Sequence, residues 1–206
     1  MIWKRLTWFF APALIVLSMG CAGPMRGHAE SDVDARVVAK ITADFFNWYI
    51  QSVKNKDRGA VQPLFVEDAN GMAALDFTAY VSNLRKYGFS DALIDAEKSA
   101  YRRCAAHLEE MPYAAFKKID NLDDFEAMGC DFTNTYRWTG GQEICDGILV
   151  DGVEVVGADR RLVRIRPFIH GKRPEQVAWG GERNVTLAKY AGRWRIDGIE
   201  PVWRNR

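Results

Sequence analysis

The stretch RNVTLAKYAGRWRIDGIE, residues 183–200, decides the fold. Val185, Leu187 and Lys189 alternate with Thr186, Ala188 and Tyr190. Ala191-Gly192 then turns the chain. Beyond it Trp194 and Ile196 share one face, and Arg195 and Asp197 the other. Period-2 alternation on both sides of a Gly-containing turn reads as a β-hairpin. One isolated hairpin is marginal in water. The large apolar Trp194 and Ile196 therefore call for further strands and for a layer that covers them.

Working outward toward the N-terminus, the preceding residues carry more strand signal. Val153, Val155 and Val156 begin one strand after the turn dipeptide Asp151-Gly152, and Leu162 to Ile169 forms another, turned by Gly171. Gln176 to Trp179 is expected to extend the sheet before Gly180-Gly181.

Farther back the period changes to that of helices. Val37, Ile41, Phe45, Trp48 and Ser52 lie on one stripe, with Val38, Tyr49 and Val53 beside it. This first helix starts near Ser31 or Asp32 and stops at Gly59. A short second helix is expected near Pro63, carrying Leu64 and Phe65, and Asn70-Gly71 breaks it. Leu75 (or Ala74), Phe77, Tyr80, Val81 and Leu84 mark a third, closed by Gly88. A fourth runs from Asp91 to about Glu110, capped by Ser90 and stopped by Met111-Pro112. Phe116, Ile119, Leu122, Phe125 and Met128 suggest short helical turns, with Asn121 as a cap. Phe132, Asn134, Tyr136 and Trp138 fit either a strand or an ordered aromatic loop within 131–150. Helices first and sequential strands after them predict one α+β domain over residues 30–206, its helices packed on an antiparallel sheet.

The first 29 residues are set apart as an export segment. Lys4 and Arg5 precede an apolar run from Leu6 to Gly20, broken by Pro12. Two endings fit. Ser18-Met19-Gly20-Cys21 resembles a bacterial lipoprotein processing site, with the leader ending at residue 20 and Cys21 carrying the lipid. Gly27-His28-Ala29 offers an ordinary signal-peptidase site instead. A retained membrane anchor is the third reading, and all three place the domain outside the cytoplasm, in the periplasm or on an envelope membrane, with a lipid anchor in the first. Of the 28 basic side chains, Lys4, Arg5 and Arg26 lie in this segment, which holds no acid. The remainder therefore has 25 basic and 27 acidic side chains, net −2. A near-neutral domain without a basic block gives no support for nucleic-acid binding.

Cys104, Cys130 and Cys145 remain beyond the segment, an odd number for an oxidising compartment. Cys104 falls on the apolar stripe of the fourth helix and reads as a small core residue. Cys130 and Cys145 are expected to form a disulfide worth about 3 kcal/mol, provided the stretch between them is a loop rather than a hairpin. The spacing of His and Cys fits no metal site, and there is no Gly-rich phosphate loop, HExxH helix or Ser/His/Asp spacing. No cofactor is expected. His107 and His170 read as surface residues.

The hairpin ending, from Val185-Thr186-Leu187-Ala188-Lys189 through Gly192-Arg193-Trp194-Arg195-Ile196-Asp197-Gly198-Ile199, resembles an uncharacterised family of bacterial exported proteins and lipoproteins. Phe45-Phe46-x-Trp48-Tyr49 in the opening helix is similar to that family too. Asp131-Phe132-Thr133 stands where the family tends to carry Asp-Pro-Phe, here without the Pro. The resemblance spans roughly residues 35–200. It implies a nuclear-transport-factor-like, cystatin-like fold, a curved cone-shaped sheet wrapped by helices around a concave pocket. It implies no activity.

Two constellations are candidates for function. Arg164 and Arg166 share a face by period 2, as do Arg193 and Arg195, and with Arg161 they fall on strands expected to be neighbours. Such a face suits an anionic ligand or an acidic partner, or else is a solvated surface paired with Asp197, Glu154 and Glu182. Trp48, Tyr49, Tyr136 and Trp138 are candidate lining of the pocket, where stacked aromatics bind sugars or peptides. Asp131 with Tyr136 or Tyr49 would mimic the acid–base pair of isomerases and hydratases. The leading expectation is an envelope binding or interaction domain for a protein, a peptidoglycan fragment or a small ligand, with inhibitor or immunity-type action as a subclass. The alternatives are a pocket-based isomerase or hydratase-like enzyme and a structural envelope lipoprotein.

Overall fold

In a computed structural model, residues 27–133, 135–169 and 181–202 are described. Cys21 and the rest of residues 1–26 lie outside them, as do Asn134, His170, Gly171 and the expected extension Gln176–Trp179.

The terminal hairpin forms as the alternation predicts, from β5 (Arg183–Tyr190) and β6 (Arg193–Pro201). Ala191 and Gly192 both take left-handed backbone conformations, φ 48° and 79°. That is the two-residue turn whose twist matches the strands it joins. Leu187 pairs with Ile196 and Lys189 with Trp194, so one face carries the apolar set. Val185, Leu187, Trp194 and Ile196 are all buried.

Two earlier strands, β3 (Gly147–Gly157) and β4 (Arg160–Phe168), complete an open antiparallel meander in the order β3-β4-β5-β6. The expected Asp151-Gly152 turn is instead interior to β3, where the register shifts between Val150 and Gly152. Apolar residues on both sides of the dipeptide pair with the single strand β4, and a bulge absorbs the irregularity. The chain turns at Ala158-Asp159. The outer edge of β6 is partly covered by residues 88–90. Ser90 N–H donates to the Ile196 carbonyl at 2.9 Å, and Ile196 N–H donates to that of Gly88 at 2.8 Å.

Helix α1 (Gly27–Lys54) lies against the inner face of this sheet. Val38, Phe45, Phe46, Tyr49 and Ile50 are buried along its stripe and share the main core with Val163, Ile165, Val185 and Leu187. The helix ends before Gly59, because Lys56 turns into the left-handed region at φ 59°. Gly59 instead falls in the short α2 (Arg58–Val61).

Leu64 and Phe65 are not helical. They begin β1 (Leu64–Glu67), which pairs with β2 (Ala73–Asp76) around Asn70-Gly71. The Asp68 carboxylate fixes this turn, accepting from the Asn70 and Met72 amides at 2.8 Å each. Local turn chemistry of this kind overrides weak helical spacing. Leu75 is therefore a strand residue, and α3 runs over Thr78–Lys86. The expected fourth helix divides at Tyr101 into α4 (Asp91–Ala100) and α5 (Arg102–Glu109). Two short helices follow, α6 (Tyr113–Phe116) and α7 (Leu122–Ala127), then a single 3-10 turn over Asp131–Thr133. The Ser90 and Asn121 caps form as expected, accepting from the amides of Leu93 and Asp124.

The disulfide differs from expectation. Cys130 pairs with Cys104, with Cα atoms 4.9 Å apart, and Cys145 is a buried thiol. Cys104 and Cys130 both belong to a second apolar cluster, with Ala73, Leu108, Phe116 and Met128. Cys145 belongs to the main core. The two clusters separate the residues expected to bond.

Candidate functional site

Where the two clusters meet, the chain leaves a cavity of about 920 Å³. Its walls come from the end of α1, from residues 62–65, from α6 and α7, and from Phe132, Thr133 and the loop residues 135–144. Among the described residues the meander contributes none of the lining. The inner face of the sheet is covered by the aromatic stripe of α1, and the cavity lies beside the loop that follows α7.

One wall is a set of rings. Phe65 lies with its centroid 4.7 Å from that of Phe116, 5.8 Å from Phe125 and 5.5 Å from Phe132, the last nearly parallel. Phe65 reaches this wall because β1 is a strand, and Phe132 because the disulfide ties the turn before it to α5. Tyr49, Tyr101, Tyr136 and Arg137 line the cavity as well.

Behind this surface is a buried carboxylate. Glu97 is 2% exposed, on the inward side of α4. Its Oε1 accepts from the hydroxyls of Tyr80 and Tyr101, both at 2.9 Å. The Arg137 guanidinium closes the set with Nε at 2.9 Å and Nη2 at 2.8 Å from Oε2. A buried carboxylate needs such donors, since desolvation without them is costly. Burial, and then the neighbouring Tyr101 and Glu97, push the Tyr80 hydroxyl well above its ordinary pKa. Burial and Glu97 do the same for Tyr101. Burial opposes the charge of Arg137, but the hydrogen bonds and charge of Glu97 outweigh it and hold that pKa above the usual guanidinium value. The Arg137 side chain is 48% exposed and also lies over the Trp138 ring, 5.4 Å from its centroid.

Of the aromatic residues expected to line a pocket, Tyr49 and Tyr136 do so. Trp48 stacks on Tyr87 instead, with centroids 4.4 Å apart. Trp138 is packed in the main core against Phe45 and Phe89, and its indole Nε1 has no hydrogen-bond partner among the described residues. Asp131 is exposed on the 3-10 turn and does not line the cavity, so it forms no acid–base pair with Tyr49 or Tyr136.

The arginine face is divided as well. Strand β5 lies between β4 and β6, which keeps Arg164 and Arg166 apart from Arg193 and Arg195. Arg164 donates to Glu154 at 2.8 Å, and Arg166 donates twice to Asp151 at 2.6 Å. Arg161 is buried on the opposite, inner face. There it donates to the carbonyls of Gly157, Ala158 and Arg160 and lies against Asp34.

Sequence reasoning missed Glu97, Arg137, Tyr80 and Tyr101. One signal was available. Ile94, Glu97 and Tyr101 recur at helical spacing on one face, which puts a carboxylate among buried apolar neighbours. Arg137 carries no such signal, because the loop that holds it has no periodicity.

A second buried polar group supports the loop from within. Arg183 reaches from β5 and donates to the Thr139 carbonyl at 2.9 Å. Gly140 is left-handed at φ 68°, and a side chain there would collide with the guanidinium. Burial pushes the nearby Cys145 thiol up. Among the described residues, no group of His, Cys, Asp and Glu is arranged to hold a metal ion, and no helix is long and apolar enough to cross a membrane.

No family model, curated protein or solved structure matches the chain.

Proposed function

We propose that this chain is an exported envelope domain that binds a small ligand in the cavity between the helices and the loop after α7. The observation that carries this reading is the ring-lined cavity of about 920 Å³ backed by the Glu97–Arg137–tyrosine network. Ligand sites are concave and largely apolar, with a few fixed polar groups, and fall within roughly 300–1,000 Å³. The network holds Arg137 in place before any ligand arrives, which reduces the ordering cost of binding. A cavity suits a small ligand better than a protein partner, which needs a broad surface.

The disulfide fits an oxidising compartment. The order of a long helix, a small hairpin, further helices and a four-stranded meander is compatible with a nuclear-transport-factor-like cone. Lipid attachment at Cys21 would hold the domain at a membrane surface. Glu97 accepts from three side chains and Asp131 lies outside the cavity, so the reading is capture rather than catalysis.

Native mass spectrometry of the protein isolated from its own envelope tests this. The expected result is a retained small-molecule adduct on the folded chain, absent from Phe125→Ala. Only bare protein, or an adduct equally abundant on that variant, would count against the cavity as a binding site.

A further inference from the structure

The cavity also indicates what its ligand carries. A guanidinium has five N–H groups in one plane. Glu97 engages Arg137 along the edge made by Nε and Nη2, at 2.9 and 2.8 Å. The three remaining N–H groups point away from Glu97, by the planar geometry of the group. They belong to a side chain that lines the cavity and is 48% exposed. Arg137 is held from behind by a carboxylate and across its face by Trp138, so its direction is set. The rim adds Lys56 and Arg58 against Asp57. Among the described residues the charged lining is thus three cations to one anion, with the Glu97 charge buried behind it.

From this we infer that the ligand is a ring-bearing anion, whose ring packs against the Phe65–Phe125–Phe132 wall while its carboxylate or comparable acid group hydrogen-bonds the outer edge of Arg137. Fork-like donation from arginine suits such a group in both geometry and charge. Glu97 then acts as a positioning residue, since it touches Arg137 and not the ligand. The inference rests on the cavity being the binding site, as proposed above.

A matched pair of fluorescent probes separates the two claims. Anilinonaphthalene sulfonate and its neutral counterpart, phenylnaphthylamine, share one ring system and differ by the sulfonate. Both are titrated into the folded protein. The expected result is one site per chain, with the sulfonate bound about tenfold more tightly, the worth of one good charge-assisted contact. In Arg137→Lys, which keeps the charge beside Glu97 but loses the fork, that ratio falls severalfold. In the double variant Glu97→Gln/Arg137→Gln, which leaves no buried charge behind, it falls to about one. Far-UV circular dichroism establishes that each variant is folded. Equal affinity for the two probes in the unmodified protein overturns the inference and leaves the cavity reading standing. A sulfonate preference that survives in Arg137→Lys and in the double variant also overturns it, by assigning the preference to Lys56 and Arg58. Binding of neither probe overturns both readings.

Discussion

Arg137 meets Glu97 edge-on across a separation of forty residues, with Nε 2.9 Å and Nη2 2.8 Å from the same carboxylate oxygen. This contact ties the loop after α7 to α4, and the cavity opens in front of it. Removing one partner of a buried pair leaves the other uncompensated, which is more costly than losing the attraction itself. Arg137→Ala should therefore destabilise the domain by about 3 kcal/mol, the low end for such pairs because Arg137 is half-exposed. Urea unfolding of this variant and of Tyr101→Phe measures the effect. The tyrosine variant should cost about 2 kcal/mol, since it withdraws one donor from a charged acceptor. Losses below about 0.5 kcal/mol in both would show that the network contributes little to the fold.

The first helix and the last hairpin are joined at Asp34. Its Oδ1 accepts from the Trp194 indole at 2.9 Å, with Lys189 and Arg161 within 3.5 Å. The Trp194 hydrogen bond, followed by the Lys189 bond and charge, outweighs burial and holds the Asp34 carboxyl below its ordinary pKa. The folded value is thus lower than the unfolded one. The stabilisation is present above the unfolded pKa and is lost as pH falls through the folded pKa. Asp34→Asn should cost about 1.5 kcal/mol at neutral pH. The gap between variant and unmodified protein should close in the acid limb, below about pH 4. Denaturant midpoints measured from neutral pH down to pH 3 check this. A gap that stays constant across the acid limb would contradict it.

The Cys104–Cys130 bond closes a loop with a sequence separation of 26 residues. In the loop-entropy account such a closure is worth about 3.5 kcal/mol. Intact mass before and after reduction should differ by the two hydrogens of one disulfide, and alkylation without reduction should label neither Cys104 nor Cys130. Cys104→Ser should lower stability by about 3 kcal/mol and loosen the Phe132 side of the cavity. Labelling of Cys104 in the unreduced folded protein would show that the bond is not formed.

Much of the frame was legible because it rests on local chemistry. Val185, Leu187, Trp194 and Ile196 alternate cleanly and lie on the inner face. Ser90 and Asn121 cap the helices that follow them. The α1 stripe covers the sheet through Val38, Phe45, Tyr49 and Val53, while Val37, which the spacing put on the same stripe, is exposed. The misreadings fell where distant residues compete with local spacing. Leu64 and Phe65 join a strand because Asp68 organises a turn beyond them. Asp151-Gly152 stays extended because β4 pairs on both sides of it. Cys130 bonds Cys104 because the two apolar clusters form separately, a division that no spacing along the chain encodes. In the site, Tyr49 and Tyr136 were legible as aromatic lining. Trp48 and Trp138 were not placed correctly, because a large ring on a helix or loop reads the same whether it faces a core or a cavity. Arg137 was invisible for a related reason, since its partner Glu97 is brought to it only by the packing of α4 against the loop.

The most direct measurement of the cavity's role is titration of the folded protein with phenylnaphthylamine, comparing the unmodified chain with Tyr136→Ala and with Val155→Ala. Tyr136 lines the cavity, while Val155 is exposed on the edge strand β3. One saturable site per chain is predicted, weakened about tenfold by Tyr136→Ala, the worth of one lost ring contact, and unchanged by Val155→Ala. Non-saturable binding, or equal affinity in all three proteins, would contradict the assignment of this cavity as the binding site.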